Sequence, residues 1–105
     1  MIRITLERLK MDEASARRII TRCVASGAVG FTLHAKARMR ARLLTDVSVL
    51  NCLRHGRVVE GPAPDTHGMW RVTVTRDGGA VAMSVVASIH WDETKQDHLI
   101  VITAF

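Results

Sequence analysis

The sequence contains no tyrosine, and aromatic residues make up only 4% of its 105 residues. A core must therefore be built from aliphatic side chains, for which the 48% hydrophobic content is sufficient. No apolar run approaches the roughly 18 residues of a membrane-spanning helix. The first residues do not join a basic segment to an apolar stretch, so we expect no signal peptide. The length fits one domain over residues 1–105.

Cysteine is scarce, and Cys23 and Cys52 are too few and too far apart for a disulfide framework. We predict that both are buried thiols and that the protein is cytoplasmic. Cys52 and His55 have a metal-ligand spacing, but no second pair of ligands completes it. A glycine-rich phosphate loop is also missing. We therefore expect no metal and no cofactor, and any phosphodiester chemistry should be metal-independent.

Basic residues are unevenly distributed. Residues 1–60 contain twelve Lys and Arg against five Asp and Glu, whereas residues 61–105 contain three against five. This asymmetry indicates an electropositive face for phosphates or an acidic protein, or simply a solvated, arginine-rich surface.

Periodicity predicts the helices. Asp12 is a plausible N-cap for a helix that ends near Gly27, and Thr45 with Asp46 begins another that Gly56 closes. Residues 34–42 alternate like a strand but consist of good helix formers, so we predict a helix there. Its Ala35, Met39 and Leu43 should pack inward.

The second half of the sequence reads as strands and turns. The expected strands are Arg57–Glu60, Met69–Arg76, Ala80–Trp91 and His98–Phe105. Gly61–Asp65, Asp77–Gly79 and Asp92–Asp97 should be the connections, and Ile2–Leu6 a short strand or a lead-in. The predicted fold class is α+β, with N-terminal helices on one face of a four-stranded antiparallel sheet.

The predicted helix over residues 34–42 carries the strongest candidate chemistry. His34, Arg38 and Arg42 follow one another at steps of four and share a helix face. Arginine grips phosphate oxygens in pairs, and histidine can move a proton near neutral pH. Arg17, Arg18, Lys36 and Arg40 are candidate RNA-binding residues. The alternative is a solvated basic helix face.

Candidates in the second half are fewer. Arg71 either joins the helical cations around a phosphate or is an ordinary exposed strand residue. His67 lies in a loop where it could act as an acid or base. His90 and His98 flank the last turn and are more typical of rim residues than of catalysts.

Four short motifs resemble a bacterial domain-of-unknown-function family grouped with the RelE, barnase and colicin-type ribonucleases. They are His34-Ala35-x-x-Arg38-Met39-x-x-Arg42, Thr45-Asp46-Val47, Gly56-Arg57-Val58-Val59-Glu60 and Ile102-Thr103-Ala104-Phe105. The resemblance covers residues 31–105 and leaves residues 1–30 as a helical extension.

The resemblance implies a RelE/barnase-like fold and toxin activity against RNA. It also implies an antitoxin encoded nearby, and related domains occur as toxic tips of larger secreted proteins. The family's site residues fall on His34, Arg38, Arg42, Arg71 and Thr103. The family often ends in Thr-x-Tyr, whereas Phe105 lacks the hydroxyl.

Two hypotheses follow. The first is a metal-independent endoribonuclease toxin that acts on RNA rather than DNA, with His34 or His67 as base and Arg38, Arg42 and Arg71 stabilising negative charge. The second is a non-enzymatic basic module that binds RNA or an acidic protein.

Overall fold

A computed structural model describes residues 11–65, 68–77, 82–90 and 97–105, which form an α+β fold as predicted. Predictions for Ile2–Leu6, residues 78–81 and residues 91–96 lie outside this part of the chain. In chain order its elements are α1 (Glu13–Ser26), β1 (Val29–Phe31), α2 (Leu33–Ala41), α3 (Asp46–His55), β2 (Arg57–Pro64), β3 (Trp70–Arg76), β4 (Met83–His90) and β5 (His98–Ala104).

Capping residues set the helix boundaries where the sequence predicts them. The Asp12 side chain accepts a 2.7 Å hydrogen bond from the Ser15 amide, which satisfies an otherwise unpaired N–H of the first turn of α1. Gly27 ends α1 in the left-handed conformation, with φ of 80°. Thr45 and Ser48 form a reciprocal capping box at the start of α3.

The sheet has five strands in the order β1-β5-β4-β3-β2. Strand β1 runs parallel to β5, and the other neighbours are antiparallel. The prediction of four antiparallel strands is therefore wrong. Strand β1 has only three residues, too few for a period-two pattern to show. It also separates α1 from α2, so the helices do not all precede the sheet.

Strand β2 continues through the segment that the sequence predicts to be a loop. Ala63 pairs with Arg71 and Pro64 with Trp70, after two register shifts. Prolines are tolerated here because β2 is an edge strand with bulges. Gly61 has φ of 80°, and a Cβ on it would lie 2.5 Å from the Arg71 carbonyl oxygen. The bulge therefore requires glycine at this position.

The end of α2 differs from the prediction of which side chains pack inward. Ala35 and Met39 are buried as expected, but Leu43 is 90% exposed. The helix ends at Ala41, and Leu43 has φ of 57°, so the chain turns outward before this side chain can reach the core. Val47, in the first turn of α3, is also exposed.

The core lies between the sheet and the layer formed by α1 and α3. Ile20 of α1 and Leu53 of α3 are fully buried against strand residues such as Val74 and Val85. Each such side chain contributes about 1.5–3 kcal/mol on burial. Helix α2 lies beside β5 and adds Ala35 and Met39 to the same core. No helix in the described ranges is long and apolar enough to cross a membrane.

Candidate functional site

The sheet face opposite α1 and α3, here the α-distal face, collects polar side chains. On β3, Val72 and Val74 are buried in the core, so the alternating Arg71 and Thr73 occupy the opposite face. Arg71 pairs with Ser88 of β4, and Thr73 pairs with Glu60 of β2. Pairing and alternation therefore place acid, base and cation chemistry on one face.

Three titratable side chains form a diagonal across β2, β3 and β4. Glu60 pairs with Thr73, which is two residues from Arg71 along β3. Glu60 and Arg71 are therefore diagonal neighbours on the same face of the sheet. On β4, Ser88 pairs with Arg71, and His90 is two residues beyond Ser88. His90 therefore lies on the α-distal face and is the diagonal neighbour of Arg71 on the other side. Diagonal neighbours of this kind are roughly 7–8 Å apart at the backbone, within reach of long side chains.

A cavity of about 140 Å³ surrounds Arg71. Its lining includes the side chains of Glu60, Asp65, Arg71 and Thr73. Pockets for drug-sized molecules usually exceed about 300 Å³, so this cavity suits one phosphate group or the edge of a base. The bulges of β2 shape its rim, because Gly61, Ala63 and Pro64 also line it.

Asp65 holds one side of this cavity in place. Its carboxylate accepts a 3.0 Å hydrogen bond from the Met69 amide and a 3.4 Å bond from the buried Ser88 hydroxyl. These bonds tie the end of β2 to β3 and β4. Glu60 is exposed whereas Asp65 is half-buried, so the Glu60 carboxylate is the more open of the two to a ligand.

His90 and His98 form a cross-strand pair, and neither residue lines this cavity. They are directly opposite each other on β4 and β5, with ring centroids 5.3 Å apart and planes tilted by 31°. The sequence predicts two separate rim residues. It shows no pairing because the register of β4 on β5 depends on the turn and the bulge, not on the composition of either strand.

The cations predicted on α2 form a separate group. His34 and Arg38 are exposed on α2, and Arg42 is its C-cap, with its amide bonded to the Arg38 carbonyl oxygen at 3.0 Å. Arg71 lies on β3, two strand spacings or roughly 10 Å beyond β5, against which α2 packs. Among the described residues, no hydrogen bond or ion pair joins these cations to Arg71.

Thr103 lies between these two groups. It pairs with Val86 on the α-distal face of β5. The neighbouring Ile102 carbonyl oxygen accepts a 3.2 Å hydrogen bond from Thr32, the N-cap of α2. The first turn of α2, which carries His34, is thus anchored beside Thr103.

The remaining RNA-binding candidates differ in their surroundings. Arg17 donates hydrogen bonds to the carbonyl oxygens of Leu53 and Gly56, and burial lowers its pKa. Arg17 therefore caps the C-terminus of α3, a structural role that the sequence does not reveal. Arg18 contacts the Ser15 hydroxyl at 3.3 Å. Lys36 and Arg40 are exposed on α2.

The two cysteines are buried free thiols, as predicted. Burial is the main cause that raises the pKa of each thiol. Cys52 contacts the carbonyl oxygens of Val74 and Met83 at 3.6 Å, so it is a core residue. His67 lies outside the described residues. Within residues 11–65, 68–77, 82–90 and 97–105, no three His, Cys, Asp or Glu side chains are grouped as metal ligands.

Comparison with known proteins identifies a family through residues 31–105. These residues match the model of a domain of unknown function, DUF4258. The chain belongs to the DUF4258 family. The matched DUF4258 region begins at the last residue of β1 and includes every residue of the diagonal and of the α2 cation group. Neither the curated proteins nor the solved structures contain a match.

Sequence reasoning missed Glu60 as a site residue of this DUF4258 domain. Glu60 stands at the end of a motif that carries the family resemblance, directly before Gly61. A carboxylate next to a glycine that a bulge requires was the available signal. The pairing of Glu60 with Thr73, which shows its relation to Arg71, appears only in the folded sheet.

Proposed function

We propose that this domain is a metal-independent endoribonuclease whose site is on the α-distal face. The observation that carries this proposal is the diagonal of Glu60, Arg71 and His90 across three adjacent strands. It provides a carboxylate base, a permanent cation and a histidine across one face of the sheet, and the carboxylate and the cation line one cavity. These are the groups that cleavage of RNA through its own 2′-hydroxyl requires.

The reaction needs two proton transfers. Glu60 takes the proton of the 2′-hydroxyl as that oxygen attacks the adjacent phosphorus. Arg71 stabilises the extra negative charge on the phosphate oxygens, and the guanidinium suits this because its fork bonds two oxygens at once. The bond from phosphorus to the 5′-oxygen then breaks, and His90 gives a proton to that leaving oxygen. The products are a 2′,3′-cyclic phosphate and a 5′-hydroxyl.

The cations of α2 serve the same substrate by binding its backbone. His34, Arg38 and Arg42 are exposed at the β5 side of the sheet, where they can contact phosphates beyond the scissile one. These cations raise affinity, whereas the sequence-based prediction makes His34 or His67 the base. Thr103 lies between the two groups, so it would contact the RNA strand that passes from one group to the other.

The biological role that fits this proposal is a RelE/barnase-like bacterial toxin with a protein antitoxin. The corner between α2 and α3 suits such a partner, because Leu43 and Val47 are 90% and 66% exposed and lie within five residues of Arg42 along the chain. An exposed apolar pair beside cations matches an acidic, amphipathic segment. Co-purification with the neighbouring gene product should be lost in Leu43→Ser/Val47→Ser and retained in Lys36→Ser.

A non-enzymatic RNA-binding module is the second candidate. The observation that favours it is the α2 cation group, together with Lys36 and Arg40. In the described structure, these five side chains form no hydrogen bond or ion pair with the protein. Such a surface binds phosphates without needing a catalyst. This candidate predicts salt-sensitive binding with no cleavage.

The test is incubation of total RNA with purified protein in EDTA. The variants are Glu60→Gln, Arg71→Gln and His90→Gln, with Arg54→Gln on the exposed surface of α3 as the matched control. Each site variant should slow cleavage about a hundredfold or more, because a single acid, base or charge-stabilising group contributes that much. Circular dichroism should show that all variants are folded.

The outcomes separate the hypotheses. Loss of RNA cleavage in the three site variants, with only weakened RNA binding in His34→Ala/Arg38→Ala, supports the diagonal site. Loss of turnover only in the α2 double variant would overturn the diagonal site and return catalysis to His34. Intact RNA with the wild type, combined with salt-sensitive RNA binding, would favour the binding module.

A further inference from the structure

A second cavity lies at one end of the pairing between β2 and β3, and the Arg71 cavity lies at the other end. It encloses about 270 Å³ and is lined by His55, Gly56, Arg57, Thr75, Arg76 and Asp77. We propose that this Arg57 cavity binds a phosphate of the RNA strand at a few nucleotides' distance from the scissile phosphate. The proposal rests on the proposed function, which it deepens by adding a substrate subsite.

The chemistry of the lining fits a phosphate. Arg57 and Arg76 contribute two guanidiniums, whereas the Thr75 hydroxyl is hydrogen-bonded to the Ser84 hydroxyl at 2.7 Å. Guanidiniums bind phosphate oxygens through paired N–H donors and keep their charge at every relevant pH. Gly56 lets the end of α3 pack closely against β3 at this wall, because a Cβ there would lie 2.6 Å from the Cys52 carbonyl oxygen and 2.7 Å from that of Thr75.

Asp77 is the one carboxylate in this lining. It forms an ion pair with Arg57 at 3.2 Å, and both side chains are mostly exposed. Exposed pairs of this kind are weak, so a phosphate can displace the carboxylate from the guanidinium. Asp77 therefore acts as a competitor for the ligand, and its removal should strengthen binding.

The position of the cavity relates it to the catalytic diagonal. Arg57 pairs with Thr75, and Thr75 is four residues from Arg71 along β3, a distance of about 13–14 Å. A single RNA strand that passes over Arg71 and follows the edge formed by β2 and β3 would reach this cavity. The Arg57 cavity and the α2 cations lie on opposite sides of Arg71, so the substrate would extend across the face in both directions.

The experiment measures binding without cleavage. The probe is a short fluorescein-labelled 2′-O-methyl RNA, which lacks the attacking hydroxyl, and its anisotropy is followed at several salt concentrations. Arg57→Gln and Arg76→Gln should each lower affinity several-fold. Each should also reduce the dependence of log K on log salt by about 0.7, the loss of one phosphate contact for a single strand. Asp77→Asn should raise affinity.

Arg54→Gln is the matched control, because Arg54 is exposed on α3 but does not line the cavity. Binding by Arg57→Gln and Arg76→Gln equal to that of Arg54→Gln would overturn the proposal, and so would an Asp77→Asn variant with weaker binding. A domain that shows the expected binding changes but never cleaves RNA would retain the subsite and lose the ribonuclease function. Cleavage of RNA, with no change in binding for the Arg57 and Arg76 variants, would retain the ribonuclease function and exclude the subsite.

Discussion

The guanidinium of Arg17 donates a 2.7 Å hydrogen bond to the carbonyl oxygen of Gly56, 39 residues away. A second bond from the same group reaches the Leu53 carbonyl oxygen. These oxygens lie at the C-terminal end of α3, where helix carbonyls lack partners and the macrodipole favours a cation. Arg17 therefore joins α1 to α3 at the point where the chain enters β2.

We expect Arg17→Ala to lower the free energy of unfolding by about 1.5–3 kcal/mol, because charged hydrogen bonds are lost from a partly buried pair of acceptors. Arg17→Lys keeps the charge but not the forked geometry, so its loss should be smaller. Urea denaturation measures both. An Arg17→Ala variant as stable as the wild type would show that solvent replaces these bonds without cost.

Gly61→Ala should destabilise the protein by more than the roughly 1–2 kcal/mol of a left-handed backbone alone, because the new Cβ would also contact the Arg71 carbonyl oxygen at 2.5 Å. The matched control is Gly68→Ala, which has a similar φ of 79° but no atom within 4 Å. Thermal unfolding of the two variants provides the comparison. Equal losses would mean that the bulge adapts to the side chain.

The buried thiols should be inert in the folded protein. Burial raises the pKa of Cys23 and of Cys52, so the reactive thiolate is disfavoured. Ellman's reagent should label neither residue at pH 8 until denaturant is added, and it should then label both. Fast labelling under native conditions would contradict the core that the structure describes.

The Asp12 cap should make the stability of the folded protein depend on pH under acidic conditions. Its hydrogen bonds with Ser15 lower the pKa of the carboxyl group. The folded state therefore binds its proton less readily than the unfolded chain, and the resulting stability is present above about pH 3.9 and is lost as pH falls through the folded-state pKa. The difference in Tm between wild type and Asp12→Ala should shrink below pH 4. Asp12→Asn, which keeps an acceptor for the cap, should lack this pH dependence.

The local signals in the sequence predict the helices well, because capping residues act within one turn. Asp12, Gly27, Thr45 and Gly56 all stand where the structure begins or ends a helix. Strand β1 and the second half of β2 depend instead on partners far along the chain. Nothing near Val29 indicates that β5 will pair with it, and Pro62 and Pro64 locally favour a loop.

The same distinction applies to the candidate site. The helix that carries His34 and Arg38 depends on local propensity, and the sequence predicts it correctly, with Arg42 as its C-cap. The diagonal of Glu60, Arg71 and His90 depends on the registers of three strands and on the bulges of β2. Arg17 shows the converse, because its side chain is engaged by carbonyl oxygens that only the tertiary structure brings near.

The most direct test of the central claim is the identity of the ends produced when a defined RNA is incubated with the protein in EDTA. Catalysis by Glu60, Arg71 and His90 predicts fragments with 2′,3′-cyclic phosphate and 5′-hydroxyl ends, detected by mass spectrometry. It also predicts that Glu60→Gln/Arg71→Gln abolishes them and that Arg54→Gln leaves them unchanged. Undiminished fragments from a folded Glu60→Gln/Arg71→Gln variant would show that the α-distal face is not the catalytic site.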